Sequence, residues 1–482
     1  MPAPSLLSFL LDNRLIEIDF SLWSQYSPTT TLLQYLRSLP EHKGTKEGCA
    51  EGDCGACTVV LAEPRKQGGL AYTAVNSCLI FLPMVHRKQV ITVENLRSPA
   101  ETLHPVQQSI IECYGSQCGY CTPGVVMTLF ALYKQKFKPT RQELAAALAG
   151  NLCRCTGYAP LFRAVEQITE WGRQDHFDSM EDQTLSQLSS IPPNDVKFFG
   201  RGTEYFQPTS LPSALSYRYQ QPTAIPINGA TDFALQVIKK SECPPAILDL
   251  SAVPELSDFT AGEGGITLGA GLKLRDVAAR VHPSHPALSD ILKGFGSLQI
   301  RSLATLGGNI GSGSPVGDTL PVLMAYCATV LLSSVHGNRE ISLTEFIRGY
   351  RQTDLGPDEL IRALKIPYLS SSQLVRAYKV SKRPDVDIST VSGAFRLGLG
   401  RQNRITEIIV AYGGMAEWAQ RSFSTEQFLL GKDWNEENLE SAGKILEKDF
   451  KPISDVRGSA EFRMVAAKNL LRKFWLDTKP KV

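Results

Sequence analysis

The stretch Glu47–Val60, EGCAEGDCGACTVV, sets three cysteines on one short loop: Cys49, Cys54 and Cys57. A fourth, Cys78, follows after 20 residues. Cys-x4-Cys-x2-Cys with a distant fourth cysteine is the plant-type spacing for a [2Fe–2S] cluster. The glycines at 48, 52 and 55 suit that task. A loop that wraps a cluster must accept positive φ and bring backbone N–H groups close to sulfur. Zinc is the competing ligand, but zinc sites usually pair two short Cys-x(2–4)-Cys elements, whereas here three cysteines crowd one loop and the fourth stands alone. The flanks read as a small mixed sheet. Residues 15–20, Thr58–Leu61, Tyr72–Val75 and Gln89–Val93 are strand-like, and Thr30–Leu39 carries leucines at 32, 33, 36 and 39 in helical spacing. Residues 1–95 therefore form the first α+β domain.

A second set, Cys118-x2-Cys121 and Cys153-x-Cys155, lies in a helical segment, residues 96–172. Helices are expected at Pro105–Tyr114, after Thr122–Pro123, after the Thr140/Glu143 capping box, and from Pro160 to Trp171. Spacing alone leaves zinc open for this set. Placement favours an anionic cluster, since each cysteine pair precedes a helix N-terminus, where thiolates are stabilised. Cys113, Cys243 and Cys327 read as small buried side chains. Nine of the eleven cysteines lie between Cys49 and Cys155, a clustering that points to metal binding in a reducing, cytoplasmic compartment rather than to disulfides.

Residues 173–193, within the polar stretch Gly172–Asp195, read as a linker ending in Pro192–Pro193. Residues 194–370 are mixed α/β and rich in glycine. Residues 371–482 run strands (Leu374–Lys379, Gly393–Leu399, Ile405–Tyr412) into a helical tail, a separate α+β domain. Two glycine-rich strings stand out in the middle: Ile225–Asp232, IPINGATD, and Thr305–Asp318, TLGGNIGSGSPVGD. Neither is a GxGxxG turn with an acidic residue about 20 positions on, so a Rossmann nucleotide site has poor support. Thr305–Asp318 reads as a long loop. Gly307, Gly308, Gly311 and Gly313 let several N–H groups share one concavity, as a pyrophosphate requires. Thr305 and Asn309 can add hydrogen bonds, and Asp318 can accept from sugar or ribityl hydroxyls. A purely structural loop is the alternative.

The 482 residues hold 50 basic and 48 acidic side chains, which gives no electrostatic case for nucleic acid or an anionic membrane. At 43 % hydrophobic and 20 % charged, the chain is ordinary globular protein with material for several cores. No signal peptide is expected: Ser5–Leu11 lacks a basic flank and ends at Asp12. The uncharged run Thr319–Asn338 contains Pro321 and Gly337 and reads as a buried helix followed by a buried strand, not a membrane span.

The strings EGCAEGDCGACTVV, QCGYCTPG (Gln117–Gly124) and GNLCRCTGY (Gly150–Tyr158) resemble the iron–sulfur region of the xanthine dehydrogenase/aldehyde oxidase family of molybdenum hydroxylases, with all eight ligand positions filled. The glycine-rich strings resemble that family's FAD domain. The resemblance implies a multidomain α+β chain: a β-grasp [2Fe–2S] ferredoxin, a four-helix [2Fe–2S] bundle, a vanillyl-alcohol-oxidase-type FAD domain and a C-terminal α+β domain. It implies that Gln117 and Cys155 face a molybdopterin on a partner. It implies that Ile225, Pro226, Ile227, Asn228, Gly229, Ala230, Thr231 and Asp232, with Thr305, Leu306, Gly307, Gly308 and Asn309, hold the FAD phosphates, and that Asp318 binds the sugar or ribityl part. Ile361 then packs near the adenine, Lys379 approaches FAD from the C-terminal domain, and Phe295 stacks near the isoalloxazine. Read from the residues alone, Gln117 is equally a loop amide and Phe295 a core aromatic. The loop Tyr378–Ser389, with Lys382, Arg383 and Asp385, borders a nicotinamide-nucleotide site in related enzymes; its spacing departs by a residue, which leaves single contacts with NAD+ open.

The activity implied is an electron relay. Electrons from purine hydroxylation at the partner's molybdenum pass through the helical cluster, the ferredoxin-type cluster and FAD to NAD+. No residue of this chain is expected to be a catalytic acid or base, and the seven histidines show no triad or metal spacing. The molybdopterin domain has no room in 482 residues and is expected on a large partner subunit, two small and two large chains to the assembly. An aldehyde or N-heterocycle hydroxylase, oxygen or quinone as acceptor, and a zinc-stabilised interaction module without redox function are the alternatives.

Overall fold

The structure, a computed structural model, describes residues 6–20, 25–98, 100–135, 138–171, 175–240 and 243–479. Residues 173 and 174 of the expected linker, and the first and last few of the outer domains, lie outside the described residues. The chain forms a multidomain α+β protein in two compact units. The first comprises Met1–Ser210, Thr223–Ala252 and Ser297–Ala304; the second comprises Leu211–Pro222, Val253–Gly296 and Thr305–Val482.

The first unit begins with a mixed five-stranded sheet. Its spatial order is Arg14–Ile18, Leu7–Leu11, Gln89–Ile91, Thr58–Pro64 and Leu70–Asn76. Leu7–Leu11 pairs in parallel with Gln89–Ile91, and the other ladders are antiparallel. The helix Leu32–Ser38 starts at a Thr31/Gln34 capping box and buries Leu32, Leu33 and Leu36 in the core that the sheet lines. A helix laid across a mixed sheet in this way is the β-grasp arrangement.

Four helices follow, Pro105–Glu112, Thr122–Gln135, Arg141–Leu148 and Ala159–Trp171, and Arg141–Leu148 opens on the expected Thr140/Glu143 capping box. The segment read as a linker holds a fifth helix, His176–Ser190. Its Phe177, Thr184 and Leu188 are buried, with Leu185 packed against the same core. These positions form one helical stripe in an otherwise polar sequence, and the polar composition concealed it.

The same unit contains a four-stranded sheet in the order Val196–Gly200, Thr203–Gln207, Ala246–Asp249, Ile225–Ile227. Its Phe198, Tyr205 and Ile247 share one core with Phe20, Leu33 and Phe81 of the ferredoxin-like part. Packing therefore joins residues 194–210 and 223–252 to what precedes them.

The second unit contains two larger sheets. An antiparallel one runs Phe259–Gly262, Gly265–Gly269, Leu360–Pro367, Thr329–Ser334, Gly337–Ser342. The other is Gln373–Val380, Val391–Leu399, Ile405–Gly413, Gln420–Arg421, covered by the helices Phe423–Leu429, Glu436–Asp449 and Ala460–Thr478. The run Thr319–Asn338 opens with a fully buried helix, Thr319–Ala325, and then a buried strand. Among the described residues no helix is long and apolar enough to cross a membrane.

Candidate functional site

The first cysteine loop coils around its own sulfurs. Ala50, Gly52 and Gly55 take φ of 53°, 84° and 68°, which turns backbone N–H groups inward. The N–H groups of Glu51 and Cys54 donate to Cys49 Sγ at 3.4 and 3.3 Å, and the N–H of Cys49 donates to Cys54 Sγ at 3.3 Å. Cys57 Sγ lies 3.3 Å from Cys78 Sγ, and both are buried. Asn76 Nδ2 donates to the Gly52 carbonyl and Ser77 Oγ to the Cys57 carbonyl, so the Cys78 turn is tied to the loop from behind. The hydrogen bond from Cys54 pulls the Cys49 thiol down to about 5 and pushes the Cys54 thiol up. Cys57 is lowered and Cys78 raised by the same sharing.

The second set also pairs. Cys121 meets Cys153, and Cys118 meets Cys155. Cys121 starts the Thr122–Gln135 helix, its carbonyl accepting from the Val125 N–H. The Cys153 N–H donates to Tyr158 Oη, whose hydroxyl donates to the Asn151 carbonyl. Burial, with the bond shared with Cys153, pushes the Cys121 thiol up to about 12. Cys118, Cys155 and Gln117 are exposed, and the nearby Tyr114, Tyr120 and Leu152 are exposed too.

Two sulfur pairs at each site, with N–H donors aimed at sulfur, fit a two-iron centre in which each iron takes two thiolates. Among the described residues no three His, Cys, Asp or Glu side chains gather as ligands of a single ion.

The glycine-rich strings fall in different units. In the first, strand Ile225–Ile227 ends in a turn where Gly229 and Ala230 take φ of 89° and 55°. A side chain on Gly229 would sit 1.9 Å from the Leu303 carbonyl, so the close approach requires glycine there. Asn228 Nδ2 donates to the Leu250 carbonyl, and Thr231 and Asp232 lead into the helix Phe233–Lys240.

In the second unit, the segment expected as a long loop contains a helix, Leu306–Gly311, capped by Thr305 Oγ1 accepting from the Gly308 N–H at 3.1 Å. It coils despite its glycines because Thr305 caps it and Gly307 fits against Ala270, where a Cβ would come within 2.6 Å. Asn309 Oδ1 accepts from Thr319 Oγ1. Asp318 is buried and already engaged: Lys379 Nζ lies 2.9 Å from one carboxylate oxygen and Ser389 Oγ donates to the other at 2.5 Å. Lys379 also donates to the Gly294 carbonyl, beside the half-buried Phe295. Ile361 is buried on strand Leu360–Pro367, facing Gly311. Next to Lys379 opens a cleft of about 520 Å³ lined by Asp290, Gly294, Lys379, Lys382 and Arg383 among others.

Residues 25–82 match the family described as 2Fe-2S iron-sulfur cluster binding domain, and residues 92–166 match the [2Fe-2S] binding domain. Residues 199–369 match the FAD binding domain in molybdopterin dehydrogenase, and residues 376–478 the CO dehydrogenase flavoprotein C-terminal domain. Xanthine dehydrogenase/oxidase of Gallus gallus is 32 % identical over 552 aligned positions, which cover 99 % of this chain and 40 % of that protein. The chain is homologous to the iron–sulfur and FAD region of the xanthine dehydrogenases.

Other relatives of this homologue give a similar picture. Xanthine dehydrogenase 1 of Arabidopsis thaliana is 32 % identical, covering 92 % of this chain and 38 % of that one. Aldehyde oxidase 1 of Oryctolagus cuniculus is also 32 % identical, covering 99 % and 40 %. The chain thus spans about 40 % of the length of the curated relatives it matches. Carbon monoxide dehydrogenase of Hydrogenophaga pseudoflava shares the fold, with a TM-score of 0.53 at 22 % identity over 56 % of this chain and 94 % of that one. Three residues of the homologue's sites went unnoticed in the sequence. Ser389 lies in the quoted loop 378–389 and Asn151 in the string 150–158, but neither spacing marks its partner. Gln299, hydrogen-bonded to Asn151, has no local signal at all.

Proposed function

We propose that this chain is the electron-transfer part of a xanthine dehydrogenase, taking electrons from hypoxanthine or xanthine hydroxylation on a molybdopterin-binding partner and delivering them to NAD+. The observation that carries the reading is the contrast between the two cysteine sets. Cys57 and Cys78 are closed inside the protein, whereas Cys118 and Cys155 open to the surface among the exposed Tyr114, Tyr120 and Leu152. That is the arrangement of an inner centre and an entry centre that meets a partner. When bound, the clusters carry single electrons and FAD converts them into hydride transfer.

The residues here bind, orient and tune. Cys49, Cys54, Cys57 and Cys78 would hold the inner cluster, while the N–H groups of residues 49, 51 and 54 would stabilise charge on sulfur. Cys118 with Cys155, and Cys121 with Cys153, do the same for the entry cluster, and Gln117 faces the partner's pterin. In the first unit Ile225 to Asp232 are the phosphate-binding residues for FAD; in the second Thr305 to Asn309 take that role, Asp318 binds the sugar or ribityl part, Ile361 packs near the adenine, Phe295 stacks near the isoalloxazine and Lys379 approaches FAD. The residues of the second unit fit that role: Lys379 is held in place by Asp318 and the Gly294 carbonyl, and the adjoining cleft carries Lys382 and Arg383. With Lys379 paired to Asp318, Lys382 and Arg383 still outnumber Asp290 in the cleft, which favours a phosphate-bearing acceptor such as NAD+. The assembly is two of these chains with two large subunits, in the cytoplasm.

Equal identity to an aldehyde oxidase supports a second reading, the same relay serving an aldehyde or N-heterocycle hydroxylase. Iron, acid-labile sulfide, zinc and FAD per chain, on protein purified without reconstitution, test the relay. Four iron, four sulfide and one FAD are expected from two [2Fe–2S] clusters and one flavin. Zinc without sulfide or flavin would leave a structural module. NADH oxidation with an artificial acceptor then tests the nicotinamide site, and copurification with a molybdenum-containing chain, assayed on xanthine and on an aldehyde, separates the two readings.

A further inference from the structure

The loop that carries Cys153 reaches into the loop that carries Cys54. Asn151 is 1 % exposed. Its Oδ1 accepts from Thr128 Oγ1 at 2.7 Å and from Gln299 Nε2 at 2.9 Å. With the oxygen taken on one side, Nδ2 must face the other way, and it donates to the Gly55 carbonyl at 3.1 Å and to Thr58 Oγ1 at 3.2 Å. The Gly55 carbonyl also accepts from the Thr58 N–H at 3.1 Å and the Thr58 hydroxyl at 2.7 Å. Three donors converge on one oxygen that has two lone pairs. Packing holds this peptide as well: a side chain on Gly124 would come within 2.2 Å of the Gly55 oxygen, and one on Gly55 within 2.1 Å of the Gly150 carbonyl.

A peptide group is planar, with its C=O and N–H pointing opposite ways. Gripping the Gly55 oxygen therefore aims the Ala56 N–H, and that N–H is directed at Cys54 Sγ. Donors on the oxygen also polarise the N–H of the same peptide and strengthen what it gives. Hydrogen bonds to cluster sulfur are a main determinant of reduction potential, and they favour the reduced, more negative state.

We propose that Asn151, although it sits on the loop of the helical cluster, is a positioning residue that raises the reduction potential of the ferredoxin-type cluster through the Gly55–Ala56 peptide. The inference rests on the two-cluster reading. It places the setting of one centre's potential in the hands of the other centre's loop, so that folding the second loop completes the electronics of the first.

The test is an EPR-monitored redox titration of the full chain with its clusters, the helical signal being assigned by its loss in Cys118→Ser. In Asn151→Ala, the reduced-to-oxidised ratio of the ferredoxin-type cluster at a fixed potential should fall by about tenfold, which is ~59 mV for a one-electron couple. The helical cluster should move less. Thr128→Val, on the Thr122–Gln135 helix seven residues beyond Cys121, loosens the grip on Asn151 and should shift the same cluster in the same direction by less. An unmoved ferredoxin-type potential in Asn151→Ala, or equal shifts in both clusters, would overturn the inference. If Asn151→Ala fails to assemble, Thr128→Val decides alone, and no shift there overturns it. Absence of iron and sulfide from the unsubstituted chain would instead sink the two-cluster reading itself.

Discussion

Asp318 shows how one carboxylate can fix a local geometry. Its side chain is 5 % exposed and its oxygens are held by Lys379, 12 % exposed, and by Ser389. Removing one partner of a buried pair strands the other charge, which costs about 3–5 kcal/mol. Lys379→Met should therefore lower the stability of the second unit by about that amount. Adding Asp318→Asn should restore a substantial part of it, since no uncompensated charge remains. Chemical denaturation of the three proteins checks this; a double variant no better than Lys379→Met alone would mean that the loss comes from packing, not charge. The sequence drew attention to Asp318 and Lys379 separately, but not to their mutual pairing. They are 61 positions apart, and only the strand Gln373–Val380 brings them together. The eight cysteines were legible because a cluster imposes short, fixed spacings on the chain. Asn151 was not, because its partners Gly55, Thr128 and Gln299 lie on three distant segments.

At the scale of elements, capped helices were readable and the His176–Ser190 helix was not. That helix opens on Asp175, whose side chain accepts from the Asp178 N–H. Asp175 also pairs with His104 at 3.1 Å and with Lys134 at 3.0 Å, in a pocket lined by Tyr72, Phe130 and Phe177. Burial pushes its carboxyl up, but the hydrogen bond from His104 and the charge of Lys134 reverse that and hold it at about 2. The depressed value makes its contribution complete above the ordinary carboxylate range near pH 4, and it is lost as pH falls toward 2. At neutral pH the full contribution, about 2 kcal/mol, is present. Acid would destroy labile sulfide before that window is reached, so the check belongs at pH 7. Asp175→Asn should speed amide hydrogen exchange and proteolysis across 176–190 by about thirtyfold, with the amides of Leu32–Ser38 unchanged. Unaltered protection of 176–190 would show that Phe177 and Leu188 hold the helix without the ionic cluster. The linker reading failed because charge and polarity dominate the composition of this stretch, while the few buried positions that decide its fate occupy a single stripe.

For the whole molecule, order along the chain and order in space part company. The segment Ser297–Ala304 returns to the first unit, with Ile300 and Leu303 packed in the core that also holds Phe81 and Tyr205. No local periodicity announces such a return, since it is decided by surfaces distant in sequence. Exposure, likewise, is a property of the whole fold, and it separates the two cysteine sets. Cys57 and Cys78 are 2 % and 1 % exposed, whereas Cys118 and Cys155 are exposed. Attack by a chelator requires access to iron through its thiolate shell, and reactivity at sulfur follows exposure. In the chain without a partner, a ferrous chelator under reducing conditions should therefore remove iron in two phases of equal amplitude. The first phase should abolish the EPR signal that Cys118→Ser lacks, and the second the signal of the ferredoxin-type cluster. A molybdenum-containing partner that docks over Cys118, Cys155 and Gln117 should slow the first phase and leave the second unchanged. Loss of the buried cluster first, or a single phase for all four irons, would mean that access is governed by opening of the β-grasp domain and not by the static exposure of the helical site.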